Sequence, residues 1–155
     1  MKSTLKFSLF TALLSLGLAG CSKEEAPTPK APSAATTTAD TNGENRLRVG
    51  ERLTTNQFLQ SPNGQYRLVM QSDGNLVIYR LADLSARWSS RTAGTPGAFC
   101  TMQGDGNFVV YAPNGRPRAS TGARTGFRND HYAFLADNGT LFLAIAGYGV
   151  VAVNR

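Results

Sequence analysis

The sequence predicts an all-β fold, a closed or prism-like assembly of short strands. The stretch Met70-Gln71-Ser72-Asp73-Gly74-Asn75-Leu76-Val77-Ile78-Tyr79 returns, 32 residues on, as Met102-Gln103-Gly104-Asp105-Gly106-Asn107-Phe108-Val109-Val110-Tyr111. A worn third copy, Leu135-Ala136-Asp137-Asn138-Gly139-Thr140-Leu141-Phe142-Leu143-Ala144, follows after a further 33. A period of this size means one supersecondary unit used three times. Each copy also reads as a hairpin, because a Gly-containing polar turn separates two apolar arms and Gly tolerates positive φ. Finally, the chain carries no long apolar pattern of period 3.6.

The elements follow in order. Lys2 and Lys6 give residues 1–20 a basic start, and 7–18 is an apolar run rich in Leu and Phe. That run is shorter than the roughly 20 apolar residues a membrane span needs. It fits the core of an export signal. Its end, Leu18-Ala19-Gly20-Cys21, resembles the lipobox of bacterial lipoproteins. This implies that Cys21 becomes the lipidated first residue of the mature chain. Asp after that cysteine tends to mark inner-membrane retention, so Ser22 implies an outer-membrane address if the envelope is Gram-negative. Residues 21–45 form a linker. Pro27, Pro29 and Pro32 sit among Ala, Thr, Lys and Glu, with no aliphatic side chain larger than Ala. Such a segment buries too little to offset its ordering entropy and serves as a tether.

The folded part is placed at 46–155. Residues 53–59 read as a lead-in strand and Ser61-Pro62-Asn63-Gly64 as a turn. Residues 65–71 and 75–79 form the first hairpin, 81–86 a loop, 87–92 a short strand and 93–97 a turn. The second hairpin takes 98–103 and 107–111, and Pro113-Asn114-Gly115 turns again. The third unit spans 132–144, with 147–153 after it. Period-two alternation gives a core face of Leu68, Met70, Leu76 and Ile78 in the first copy. Cys100, Met102, Phe108 and Val110 match them in the second copy, and Ala133, Leu135, Leu141 and Leu143 in the third.

The opposite face carries Gln71, Val77 and Tyr79, and again Gln103, Val109 and Tyr111, and the turns between repeat Asp73 and Asn75 as Asp105 and Asn107. Asp-Gly-Asn alone is good turn chemistry, and Val and Tyr are good strand residues. Turns do not account for Gln and Tyr recurring with them. The spacing Gln-x-Asp-x-Asn-x-Val-x-Tyr resembles the sugar-binding signature of bulb-type (monocot mannose-binding, B-lectin) domains, and the likeness covers roughly residues 47–153.

The resemblance implies a β-prism II fold, three four-stranded antiparallel sheets about a pseudo-threefold axis. It implies two complete sites, the ten residues just named, each holding an α-mannose-type hexose through O2, O3 and O4. Gln and Asn can donate and accept, Asp accepts, Tyr does either, and Val offers an apolar patch to ring C–H groups. The third copy has Ala136, Asn138, Thr140, Phe142 and Ala144 at these places and is expected to be structural only. In the family a core Trp follows each repeat. Trp88 fills the first such place, Ala119 the second and an aliphatic residue within 149–152 the third. Phe99, Phe127, Phe134 and Tyr148 are candidates to fill the space left. Plant members often carry an internal disulfide, which this chain cannot make. Cys100 is then a small buried hydrophobe. Exchange of a C-terminal strand between copies makes a homodimer a further possibility.

Residues 46–155 contain 12 Arg, no Lys and six acids, a net charge of +6. Weak attraction to anionic polymers such as acidic glycans or lipopolysaccharide phosphates follows. The arginines are scattered in sequence, which favours simple solubility over a dedicated surface, and no specific nucleic-acid partner is expected. Enzyme readings fare poorly. His131 is the single histidine, and no Gly-x-Ser-x-Gly elbow exists. One His and one core Cys make no metal site, so no cofactor is expected. Two functions of different class stay open. One is a glycan-binding lipoprotein of the cell envelope. The other is a protein-interaction or envelope-assembly module, bacteriocin-like or immunity-like, on the same scaffold.

Overall fold

The computed structural model describes residues 43–123, 127–145 and 149–154. The export signal, Cys21 and the linker up to residue 42 lie outside the described residues, as do Arg124 and Tyr148. Among the described residues there are twelve strands and no helix. In chain order they are β1 (Arg46–Arg48), β2 (Arg52–Leu53), β3 (Phe58–Gln60), β4 (Tyr66–Met70), β5 (Leu76–Arg80) and β6 (Ser85–Ser89). There follow β7 (Phe99–Met102), β8 (Phe108–Tyr111), β9 (Pro117–Ser120), β10 (Tyr132–Leu135), β11 (Leu141–Ile145) and β12 (Gly149–Ala152).

They form three four-stranded antiparallel sheets of order β3-β4-β5-β6, β2-β7-β8-β9 and β1-β10-β11-β12. Each sheet is a three-stranded meander from one repeat, completed by one strand of the N-terminal segment. The single lead-in strand expected at 53–59 is therefore corrected. It breaks after Leu53, so that β2 serves the second sheet and β3 the first. The break is a local turn. Thr54 donates its backbone N–H and its hydroxyl to Gln57 Oε1, at 2.8 and 2.9 Å, and Asn56 takes a φ of 66°. Asn tolerates that left-handed region better than most residues.

Register aligns three matching rows across the sheets. They are Leu59–Leu68–Ile78–Trp88, Leu53–Cys100–Val110–Ala119 and Leu47–Ala133–Leu143–Val151. Leu47, Leu53 and Leu59 are fully buried, one from each N-terminal strand. Each contributes roughly 1.5–3 kcal/mol by leaving water. The expected core faces of all three copies are buried. Cys100 is a free, buried thiol, and desolvation pushes its pKa up to about 12.

Trp88, Ala119 and Val151 end the rows at the places where the resemblance puts the three core Trp side chains. The expected refilling by Phe99, Phe127 and Phe134 does not occur. Phe127 is 78% exposed, Phe99 stacks on Tyr111, and Phe134 stacks on Phe142. Instead a cavity of about 110 Å³ is left among Trp88, Phe108, Val110, Ala119 and Val153. The strand expected at 87–92 begins earlier, as β6. The preceding turn is held by Asp83, whose carboxylate accepts from the hydroxyl and the N–H of Ser85. Those bonds, with nearby Arg80, hold the Asp83 carboxyl below its usual range.

Candidate functional site

The outward faces of the first two hairpins carry the repeated polar set. In the first, β4 and β5 pair Val69 with Val77 and Arg67 with Tyr79. Gln71 lies just beyond β4, and its N–H bonds to the Asn75 carbonyl at 2.9 Å. The Gln71 and Tyr79 side chains thus flank the Val69–Val77 pair diagonally. Gln71 Nε2 reaches over it to Tyr79 Oη at 2.9 Å. The second hairpin repeats this, with Gln103 Nε2 donating to Tyr111 Oη at 2.7 Å across Thr101–Val109. The bridge acts as a roof. Val77 and Val109 are only 3% and 2% exposed although they point outward. The open apolar patch expected of them is therefore corrected: Gln and Tyr close over it, and the valines support the site from beneath.

Asp73 and Asn75 build the turn. Asp73 Oδ1 accepts from Asn75 N–H at 2.9 Å, and Gly74 takes a φ of 88°. Asp105 and Asn107 do the same at 3.0 Å, with Gly106 at 82°. The asparagines have a second task. Asn75 Oδ1 accepts from Ser89 Oγ, Ser90 Oγ and Thr92 N–H at 3.0, 3.2 and 3.2 Å. Asn107 Oδ1 accepts from Ser120 Oγ, Thr121 Oγ1 and Gly122 N–H at 3.3, 2.9 and 2.9 Å. A backbone N–H can only donate, so the amide orientation is fixed with oxygen inward. Nδ2 is left to donate elsewhere. Each asparagine thereby ties its turn to the chain leaving the sheet. The recurrence of Ser89-Ser90 and Ser120-Thr121 is the sequence signal for this latch, and the sequence reading missed it.

The ten residues thus converge in two separate groups of five, one per sheet. Each group presents a Tyr hydroxyl, a Gln amide, an Asp carboxylate and an Asn amide around one turn. Such a set can hold neighbouring hydroxyls of a polyol, donating to some oxygens and accepting from others. Asp73 is exposed, whereas Asp105 is half-buried. The third hairpin lacks the set. Phe134 and Phe142 stack with ring centroids 5.4 Å apart, and Ala136 and Ala144 leave nothing to bridge. Its latch is rebuilt from the C-terminus. Asn154 Oδ1 accepts from Leu141 N–H, and its Nδ2 donates to the Gly139 carbonyl, at 2.6 and 3.2 Å. His131, just before β10, is buried. Among the described residues no three His, Cys, Asp or Glu side chains gather as a metal would require.

Comparison with known proteins bears on this arrangement. No family model matches the chain. The chain is 35% identical over 99 residues to the B-type lectin plumieribetin of Scorpaena plumieri, spanning 64% of this chain and 85% of that protein. It is 42% identical over 71 residues to a mannose-specific lectin of Dendrobium findlayanum, of whose length it spans only 40%. Its fold matches the mannose-specific agglutinin of snowdrop, Galanthus nivalis, solved with methyl α-D-mannoside. There the TM-score is 0.58 at 30% identity, over 68% of this chain and 97% of that one. Monomeric mannose-binding lectins of Gastrodia elata match with a TM-score of 0.63 at 28% identity, over 72% and 96%. These relatives are lectins, which bind sugars without converting them. Three sheets of one repeated hairpin, a polar set on two outer faces and these likenesses together place the chain in the B-type (bulb-type) lectin family.

Proposed function

We propose that this chain binds mannose-type glycans through two sites, Gln71–Tyr79 on the first sheet and Gln103–Tyr111 on the second. The observation that carries this is the Gln–Tyr bridge, made twice with the same atoms. Asp and Asn have structural work in the turn and the latch. Gln and Tyr bond to each other through Nε2 and Oη, and that bond does not use the Tyr hydroxyl proton or the Gln amide oxygen. A hexose supplies partners for both, with the second Asp73 oxygen and the Asn75 amide N–H completing the ring of contacts. The third face has no such donors and serves as scaffold. A single hexose makes only a handful of polar contacts at each site and is held weakly. A polymer that engages both sites gains through effective concentration.

The sequence of residues 1–45 supports a lipid-anchored envelope protein, exported and tethered through Cys21, on the outer membrane in a Gram-negative cell. Metabolic labelling with an alkyne fatty acid tests this, and incorporation that survives Cys21→Ala excludes it. Pairing of two copies through the C-terminal strand belongs to the same proposal. Val150 and Val151 of β12 are 58% and 43% exposed, and sedimentation equilibrium reads the mass directly.

The sugar reading is tested by calorimetric titration of the full-length protein with methyl α-mannoside and an α-mannan. Weak binding of the first and tighter binding of the second are expected. Both disappear in Asp73→Ala/Asp105→Ala while circular dichroism is unchanged. No heat from either ligand at millimolar hexose overturns the reading in favour of the protein-interaction module.

A further inference from the structure

Each sheet lays an arginine over an aromatic ring between its first and second strands. Arg46 lies over Tyr132 at 5.2 Å, Arg52 over Phe99 at 4.4 Å and Arg67 over Phe58 at 4.3 Å. By register, Arg46, Arg52 and Phe58 are equivalent, and so are Tyr132, Phe99 and Arg67. The first sheet keeps the pair with its members exchanged. The arginines that look scattered in the sequence thus recur at one place on each outer face. In the second sheet the pair adjoins the polar set, because Phe99 stacks on Tyr111 with centroids 5.5 Å apart.

Here the site continues into a groove of about 560 Å³, whose walls include Arg52, Phe99, Gln103, Gly104, Tyr111 and Phe127. That falls within the roughly 300–1,000 Å³ typical of small-molecule sites. Phe127 is 78% exposed on its rim. It is held there, because Arg128 N–H bonds to the Gly104 carbonyl at 2.7 Å and the Phe127 ring occupies the place a Gly104 Cβ would take. The first repeat has Ser72 at this position. The departure from Ser to Gly therefore makes room for an aromatic ring that buries little of itself. A phenyl ring presented this way is a platform for the C–H face of a sugar. Arg52 is the charged side chain among the described lining residues, and among the described ion pairs it has none.

We propose that the second site is an extended one, taking a hexose on Gln103–Tyr111 and, in the groove, an adjoining sugar residue that bears a carboxylate or phosphate, with Arg52 meeting the anion and Phe127 the ring. This rests on the hexose reading of the same site. A guanidinium held over a ring keeps its N–H edges free to fork onto either anion. The stacking on Phe99 orients the guanidinium without neutralising it.

The test isolates the second site in full-length Asp73→Asn, whose remaining carbonyl still caps the first turn. Four ligands are titrated at low salt: methyl α-mannoside, a mannobiose, and that disaccharide with a 6-phosphate or a C6 carboxylate on its second residue. At least one acidic form is expected to bind about three- to tenfold tighter than the neutral disaccharide. Whichever acid is preferred identifies the anion. In Arg52→Gln the ratio of acidic to neutral affinity falls to about one, and Phe127→Ala weakens every disaccharide relative to the monosaccharide. Equal affinities for acidic and neutral forms, or a preference that survives Arg52→Gln, overturn the proposal and leave the hexose reading standing. Failure to bind any of the four overturns both.

Discussion

The first and third hairpins share a backbone and differ in what their outer faces do. In the first, Gln71 and Tyr79 bridge over a valine, and Asn75 locks the turn to residues 89–92. In the third, an aromatic stack replaces the bridge, and Asn154 supplies the lock from another part of the chain. The fold therefore demands the latch but not the asparagine of the motif. It demands a packed outer row but not the bridge. What the first two hairpins keep and the third lacks is the Gln–Tyr pair, whose packing role two phenyl rings can fill and whose polar atoms they cannot.

The comparison can be broken at the turns, where the effect is largest. A Cβ on Gly74 would meet the Thr95 carbonyl, which is backbone, whereas one on Gly139 would meet the Tyr66 ring. Both glycines have positive φ. Gly74→Ala is expected to cost about 3 kcal/mol in urea unfolding and Gly139→Ala about 1–2 kcal/mol, since a side chain can yield. The latch comes next. Asn75→Ala strands several donors and costs about 2 kcal/mol, as Asn154→Ala does in the third sheet, while Thr140→Ala stays within about 0.5 kcal/mol. Equal losses at Asn75 and Thr140 would show that the latch does not hold the turn.

The bridge is separated from stability by Tyr79→Phe/Tyr111→Phe. Affinity for methyl α-mannoside is expected to fall about tenfold, near 1.4 kcal/mol, with unfolding shifted by less than about 0.5 kcal/mol. A large stability loss with sugar binding intact would reverse the assignment of roles. The smallest effect is expected at the end of the second core row. Ala119→Val adds methyls toward the cavity beside Trp88 and should raise stability by about 1 kcal/mol in the same urea assay. A loss there would mean that the space cannot accept them.

The hairpins, their core faces and the buried state of Cys100 were legible because a period-two pattern fixes which residues share a face. The same alternation places Gln71, Val77 and Tyr79, and Gln103, Val109 and Tyr111, on two outer faces; Asp73, Asn75, Asp105 and Asn107 came from the repeated turn. Other features depend on partners distant in sequence. The break after Leu53 is set by the Gln57 side chain and by pairing to two different sheets. Apolar alternation runs straight through it. The burial of Val77 and Val109 follows from a diagonal bridge that alternation does not encode. Phe127 looks like core by composition but stands on a groove rim, because Gly104 gives it a seat. The Arg–aromatic pairs emerge only once strands are in register.

The segment from Arg46 to Gln60 donates β1, β2 and β3 to three different sheets, and this governs when the molecule can close. Synthesis delivers that segment before the three hairpins, yet β1 pairs with β10, whose residues begin at Tyr132. A meander can form as it emerges, but the prism has to wait for the third hairpin. Pairings so far apart in sequence slow folding, because loop-closure entropy is lost before contacts repay it. A chain cut short before β10 would therefore leave β1 without its partner and the prism open.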